Sequence, residues 1–235
     1  EGGHALYEQG LPADDYGLPS GEYLSLSIHE SQSRLWENHV GKSQYFWNYN
    51  FKTLKNIFPQ QLHDVSERSF YKAINRIKPS LIRTNADELT YHLHVLIRFE
   101  IEKDILSGTL QAAQLPEVWN AKYKSYLNID VPSDSKGVLQ DVHWSHGSFG
   151  YFPTYSLGSF YASQFFHQAN KEIPALMHHI LYGATMPLLM WLRSNIHRHG
   201  RTILADELCK NVTGEVLNFN YFFNYAKTKY DELYA

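Results

Sequence analysis

Residues 85–108, NADELTYHLHVLIRFEIEKDILSG, carry the longest clean helical period in the chain. Leu89, Leu93, Leu96, Ile97, Ile101 and Ile105 recur at three- and four-residue steps, the spacing that lines one face of an α-helix. Asn85 suits the N-cap and Gly108 the stop. Working outward, the same period predicts helices over 1–9, 43–57, 66–77 and 117–127. It recurs from about residue 155, over 173–198 and over 201–232. Ser27-Ile28-His29-Glu30 has capping-box spacing, so a further helix is expected from there to about Val40. Strand signal is confined to the alternating EYLSLS, in a loop over 11–27 that also holds Pro12, Gly17, Pro19 and Gly21. The expected class is mainly α, with a minor short β element near residues 17–28.

The chain has 235 residues, a net charge of −3 and 43% apolar residues. That length supports one sizeable core, and the charge excludes the basic footprint of a nucleic-acid binder. No apolar run approaches the roughly 20 residues that cross a bilayer, so no membrane partner is expected. A lone cysteine, Cys209, cannot form an internal disulfide, which suits a reducing, cytoplasmic setting.

Four stretches carry candidate chemistry. EGGHALYEQG (1–10) contains E-x-x-H, the tail of the H-E-x-x-H zinc signature. In that signature two His one turn apart hold the metal and the Glu serves bound water. Alone, E-x-x-H is common, and a surface His on a first turn is the plainer reading. SIHESQSRLWENHVGKS (27–43) adds Glu30, a carboxylate on a separate helix, which a His, His, Glu site requires. Capping-box duty for Glu30 weighs about evenly with that role. The third stretch is SLIRTNADELTYHLHVLIRFEIE (80–102), and the fourth is GVLQDVHWSHGSFGYFPTYSLG (137–158), an aromatic, glycine-rich loop leading into a helix.

Together these stretches resemble the M32 metallopeptidases, the thermostable carboxypeptidases of the Taq type. The family patterns H-E-S-Q, I-R-x-x-A-D and G-x-x-Q-D-x-H-W are intact and in order at 29–32, 82–87 and 137–144. Of H-E-x-x-H the first His has no position here, and the family's upstream D-x-R-x-T is not present. Family members are roughly twice this length. Residues 1–235 are therefore expected to be the C-terminal half of a single catalytic domain, of helical zinc-peptidase architecture, with the N-terminal half absent.

The resemblance implies a zinc-dependent carboxypeptidase that hydrolyses the C-terminal peptide bond by metal-activated water. His4 and Glu30 would be zinc ligands, and Glu1 the general base. Cobalt accepts the same ligands. Arg83 would grip the substrate's free carboxylate, for which a guanidinium fork is suited; an ion pair with Asp87 or Glu88 is the alternative. Asp87 or Glu88 could orient a zinc-bound His from behind. His143 and Tyr155 would support the developing oxyanion, with Tyr151 a neighbouring phenol that could contact substrate. Peptides with a free C-terminus are the expected partners, and a homodimer or self-association the expected assembly. With one His lacking, the isolated chain is expected to hold metal weakly and to be inactive. The alternatives are a catalytically silent helical scaffold or assembly fragment, and a related zinc endopeptidase or dipeptidase.

Overall fold

Eleven α-helices and no strand form the chain, in a computed structural model that describes residues 1–235. They are α1 Gly2–Glu8, α2 Leu26–Arg34, α3 Gln44–Ile57, α4 Glu67–Ile74, α5 Tyr91–Leu106 and α6 Leu115–Leu127. Then follow α7 Pro153–Glu172, α8 Leu176–Leu181, α9 Met186–Asn195, α10 Ala205–Thr213 and α11 Asn220–Tyr234. A π-helical segment, Leu35–Gly41, continues directly from α2. The expected mainly α class is what the structure has. The helices divide between two compact units, one of residues 1–74 with 157–235 and one of residues 75–156.

The first unit closes on a core that includes Tyr7, Ile28, Leu35, Phe165, Leu192 and Leu208. Gly3 lets α1 lie close on α2, because a Cβ at that position would sit 2.7 Å from Ser33 Cα and run into Gln32's backbone. The β element expected near 17–28 is not formed. Glu22 and Ser25 do have extended backbone, which is what the alternation of EYLSLS reports. No second strand lies alongside, and the Leu24 N–H donates to the Tyr7 hydroxyl at 3.1 Å instead of to a ladder. Short 3₁₀ turns at Ala13–Asp15 and Pro19–Gly21 take up the Pro and Gly residues before it.

Two helix starts also differ from expectation. The α2 cap is Ser25, whose hydroxyl accepts from Ile28 N, not Ser27. Glu30 is therefore not part of a capping box, and its carboxylate is released for other work. In the second unit, Asn85 lies in a 3₁₀ turn, Arg83–Asn85, and α5 begins only at Tyr91. Asp87 takes the capping role: Oδ1 accepts from Leu89 N and Thr90 N, and Oδ2 accepts from Thr90 Oγ1 and Lys78 N.

Helix α5 packs on α6 through Ile97 and Ile101 against Trp119, Tyr123 and Leu127. Leu96, expected on the buried stripe, is 40% exposed. Alongside the apolar contacts, α5 buries a polar row at four-residue steps: His94, Arg98 and Glu102. Arg98 and Glu102 of that row hold the loop that carries much of the candidate chemistry.

Candidate functional site

In the first unit, α1 and α2 bring His4 and Glu30 together. His4 Nε2 lies 3.3 Å from Glu30 Oε2. On its other side His4 Nδ1 meets His29 Nδ1 at 2.6 Å, and His29 Nε2 meets Glu8 Oε1 at 2.8 Å. One set of neutral tautomers satisfies this row. His29 Nε2–H donates to Glu8, His4 Nδ1–H donates to His29 Nδ1, and the lone pair of His4 Nε2 then faces Glu30. Two electron-pair donors opposed at that separation are stabilised by a cation between them. With metal–ligand bonds of about 2.0–2.1 Å, two ligand atoms of a tetrahedral zinc site lie roughly 3.3–3.5 Å apart, which the His4–Glu30 pair matches. The pair could therefore serve as one edge of a metal site, with an orienting partner behind the His.

Glu30 is buried on α2, and its other contacts hold it in place. Oε1 accepts from Arg34 Nε at 2.7 Å and Oε2 from Ser33 Oγ at 3.0 Å. Burial pushes the Glu30 carboxyl upward, but with the proton on His4 Nε2 the hydrogen bonds from His4, Arg34 and Ser33 and the Arg34 charge outweigh it and keep it below its ordinary value; a cation taken up between His4 and Glu30 would replace that proton. Gly158 of α7 lies flat against Glu30. A Cβ at that position would fall 2.5 Å from Glu30 Cγ and 2.6 Å from its Cβ. Gly158→Ala is expected to lose about 1–3 kcal/mol of stability by overpacking, read as a lower urea midpoint. An unchanged midpoint would mean that α7 can back away from α2 freely.

Glu1 stands exposed at the start of α1 and makes no side-chain cap bond. No group of three His, Cys, Asp or Glu side chains in the chain is arranged to hold a metal ion. His4 and Glu30 are therefore a pair, one protein ligand short of the three that a catalytic zinc site uses.

In the second unit, Arg83, His143, Tyr151 and Tyr155 form one cluster. Arg83 is buried, and its Nε and Nη2 donate to Asp141 Oδ1 at 3.1 and 2.8 Å. Its Nη1 donates to Tyr91 Oη at 3.1 Å, and its guanidinium carbon lies 4.7 Å from the Tyr155 ring centre. The ion-pair partner is thus Asp141 rather than Asp87 or Glu88. Asp141 also receives Arg98, whose side chain is wholly buried, through Oδ2. Burial raises the Asp141 carboxyl, but the Arg98 and Arg83 charges hold it below the usual aspartate value.

His143 Nε2 is 3.0 Å from Tyr155 Oη, its ring packs against Phe152 and Tyr151, and its buried Nδ1 has no partner. Burial depresses the His143 imidazole, with the Arg83 and Arg98 charges acting against the pull of Asp141. Glu102 of α5 fastens this loop at two points. Trp144 Nε1 donates to Oε1 at 2.9 Å, and Gly150 N donates to Oε2 at 3.2 Å. Sequence reasoning missed Glu102, Arg98, Asp141, His29 and Glu8. Three carried a readable signal: His29 and Asp141 lie inside intact motifs, and Glu8 is four residues from His4. Asp87 is spent on its own helix start, and Glu88 is buried beside it.

The model of the family described as Carboxypeptidase Taq (M32) metallopeptidase matches residues 1–230. The chain belongs to the M32 family. This M32 chain is 47% identical over its whole length to thermostable carboxypeptidase 1 of Thermus thermophilus, covering 46% of that protein. It is 42% identical, again over its whole length, to carboxypeptidase 1 of Bacillus subtilis, covering 47% of it. Among solved structures it is similar to the M32 carboxypeptidase of Deinococcus radiodurans. That match has TM-score 0.96 and 45% identity, and covers all of this chain and 47% of that one. The chain thus spans about half the length of the curated relatives it matches. M32 is a family of metallocarboxypeptidases, hydrolases of peptides whose chemistry implies a metal ion. No helix of this M32 chain is long and apolar enough to cross a membrane.

Proposed function

We propose that this chain carries the zinc-binding and substrate-reading side chains of a cytoplasmic, homodimeric metallocarboxypeptidase, which removes the C-terminal residue of peptides. The observation that carries the reading is the 3.3 Å separation of His4 Nε2 from Glu30 Oε2, with Nδ1 of the same His already engaged by His29. His4 and Glu30 would hold the ion. The third ligand is the His that the family pattern sets immediately before Glu1. Bound zinc would acidify a water and polarise the scissile carbonyl.

Each remaining role falls to a residue described above. The Glu1 carboxylate takes a proton from the attacking water and passes it to the leaving amine. Arg83 has five N–H donors, three of them engaged. Those left on Nη1 and Nη2 suit a terminal carboxylate. Asp141 and Tyr91 fix the plane of the fork. Tyr155 Oη, paired with His143 Nε2, supplies a donor for the oxygen that gains charge, and Tyr151 beside them lines the approach. His29 and Glu8 keep His4 in the metal-ready tautomer.

The test uses the full-length protein and paired peptides with a free or an amidated C-terminus. Only the free form is expected to be cleaved, and a chelator should stop cleavage. Glu1→Gln should lose about 10²–10⁴-fold in kcat. His29→Gln should weaken Co²⁺ affinity by about 10–100-fold, read from the visible spectrum of the bound ion. Equal cleavage of the amidated peptide, or retained turnover in Glu1→Gln, would overturn the reading. A second reading rests on the two-ligand count: residues 1–235 alone act as a silent scaffold. It predicts no turnover and no stoichiometric metal for that chain.

A further inference from the structure

A cavity of about 600 Å³ opens in the unit formed by residues 1–74 and 157–235. Its walls include the π-helical segment after α2 and one stripe each of α7 and α11. On α7 the stripe is Ser163, Phe166, His167 and Asn170. On α11 it runs from Tyr221 through Tyr225 and Lys229 to Glu232. Steps of three and four residues mean that each helix turns one face to the space. Inward helix faces ordinarily carry Leu, Ile and Val. No branched aliphatic side chain lines this cavity; rings, amides, hydroxyls and charges do. A simple packing void is apolar, whereas a space of this size with convergent polar groups is built like a small-molecule site.

Three features define the occupant. Asn38 lines the cavity and is 5% exposed, and its buried Oδ1 has no hydrogen-bond partner. A buried acceptor left unpaired is costly, so an occupant should bring an N–H donor. Lys229, 8% exposed, places its ammonium 3.0 Å from the Tyr225 hydroxyl at the wall, which suits a carboxylate. Tyr45, Tyr71 and Phe166 supply flat apolar faces, which suit an aromatic ring. His39 is itself fixed, stacked on Phe166 and bonded through Nε2 to Ser163 Oγ at 3.1 Å.

We propose that this cavity binds a free aromatic amino acid, its carboxylate at Lys229, its ammonium at Asn38 Oδ1 and its ring against the aromatic wall. The site is separate from the candidate metal donors. Asn38 follows Glu30 by eight residues, and Phe166 follows Gly158 by eight, a rise of about 12 Å along each helix.

Isothermal titration of the full-length protein with L-phenylalanine tests this, with N-acetylphenylalanine amide and adenosine as probes that lack the two charges. One saturable site per chain is expected for L-phenylalanine, and none for the other two. It should persist in chelator. Lys229→Gln should weaken it about tenfold or more, as loss of a charge-assisted contact does. Thr228→Trp, which adds bulk at an exposed position of the lining, should abolish it while leaving the fold intact by circular dichroism. Absence of binding, equal binding of adenosine, or L-phenylalanine binding undisturbed in Thr228→Trp would overturn the proposal.

Discussion

Asp141→Ala is expected to destabilise the unit of residues 75–156 by about 3–5 kcal/mol, the cost of leaving buried charge without its partner. Two guanidiniums depend on this one carboxylate: Arg98, with a side chain 0% exposed, and Arg83, at 7%. The carboxylate side chain is itself only 11% exposed, so water cannot replace it cheaply. Arg98 retains the His94 carbonyl and the Tyr123 hydroxyl, and Arg83 retains Tyr91. Those neutral acceptors satisfy N–H groups without neutralising charge. Asp141→Asn should fall between the parent and the alanine variant, because the amide oxygen still accepts one arm. Urea unfolding followed by fluorescence reads this directly, since Trp119 and Trp144 lie in the same unit. A loss below about 1 kcal/mol in the alanine variant would place the arginines in a far wetter setting than their burial implies.

Acidification is expected to undo both units. His94 and His197 are 0% exposed. Burial, helped by the Arg98 and Arg83 charges, pushes His94 down to about 3, and burial with the Arg193 charge does the same to His197. Both are neutral when folded, but the unfolded chain protonates them near the ordinary value of 6.5. As pH falls below that value the unfolded state binds more protons, so stability falls with it. Each His lowers stability by about 1.4 kcal/mol per pH unit across the window from 6.5 towards 3. Asp141 adds to the loss at the acid end. Its depressed value stabilises the fold above the ordinary aspartate range, and that contribution fades as pH drops through the depressed value. Unfolding free energies at pH 7, 6, 5 and 4 should trace this slope. His94→Gln should flatten it for residues 75–156, and His197→Gln for the other unit. A parent protein equally stable at pH 7 and pH 4.5 would contradict the burial of both imidazoles.

The sequence reading was strongest where one apolar period ran long, and weakest where polar groups did the packing. The stripe through Leu93, Ile97 and Ile101 located α5, yet the same helix buries His94, Arg98 and Glu102. Hydropathy treats those three as solvent-facing, although their four-residue spacing is plain in the chain. Ser27 was the natural reading of the α2 cap, but Ser25 lies two residues earlier and its hydroxyl reaches Ile28 N. The alternation at Glu22–Ser27 reported extended backbone correctly and pairing incorrectly, because a ladder needs a second strand that local sequence cannot supply. In the candidate site, motif residues gave His4, Glu30, Arg83 and His143. Their partners come from 3 to 58 positions away in the chain, and the longer of these separations are closed only by packing. The second glycine of EGGH, Gly3, carries a further hint, since Gly in a helix costs about 1 kcal/mol against Ala and here another backbone comes close.

Those close approaches fix how a bound ion would be received. Helix α2 is held at two places by glycine, with α1 seated through Gly3 and α7 through Gly158 on Glu30 itself. The helix therefore has little room to slide or roll, and the carboxylate is ordered before any ion arrives. If an ion binds there as proposed, reorganisation on capture would be small, and affinity would be governed by ligand number and charge rather than by the entropy of assembling the pair. A pair held this way would act as a rigid socket, and the helices should keep the same order whether it is filled or empty.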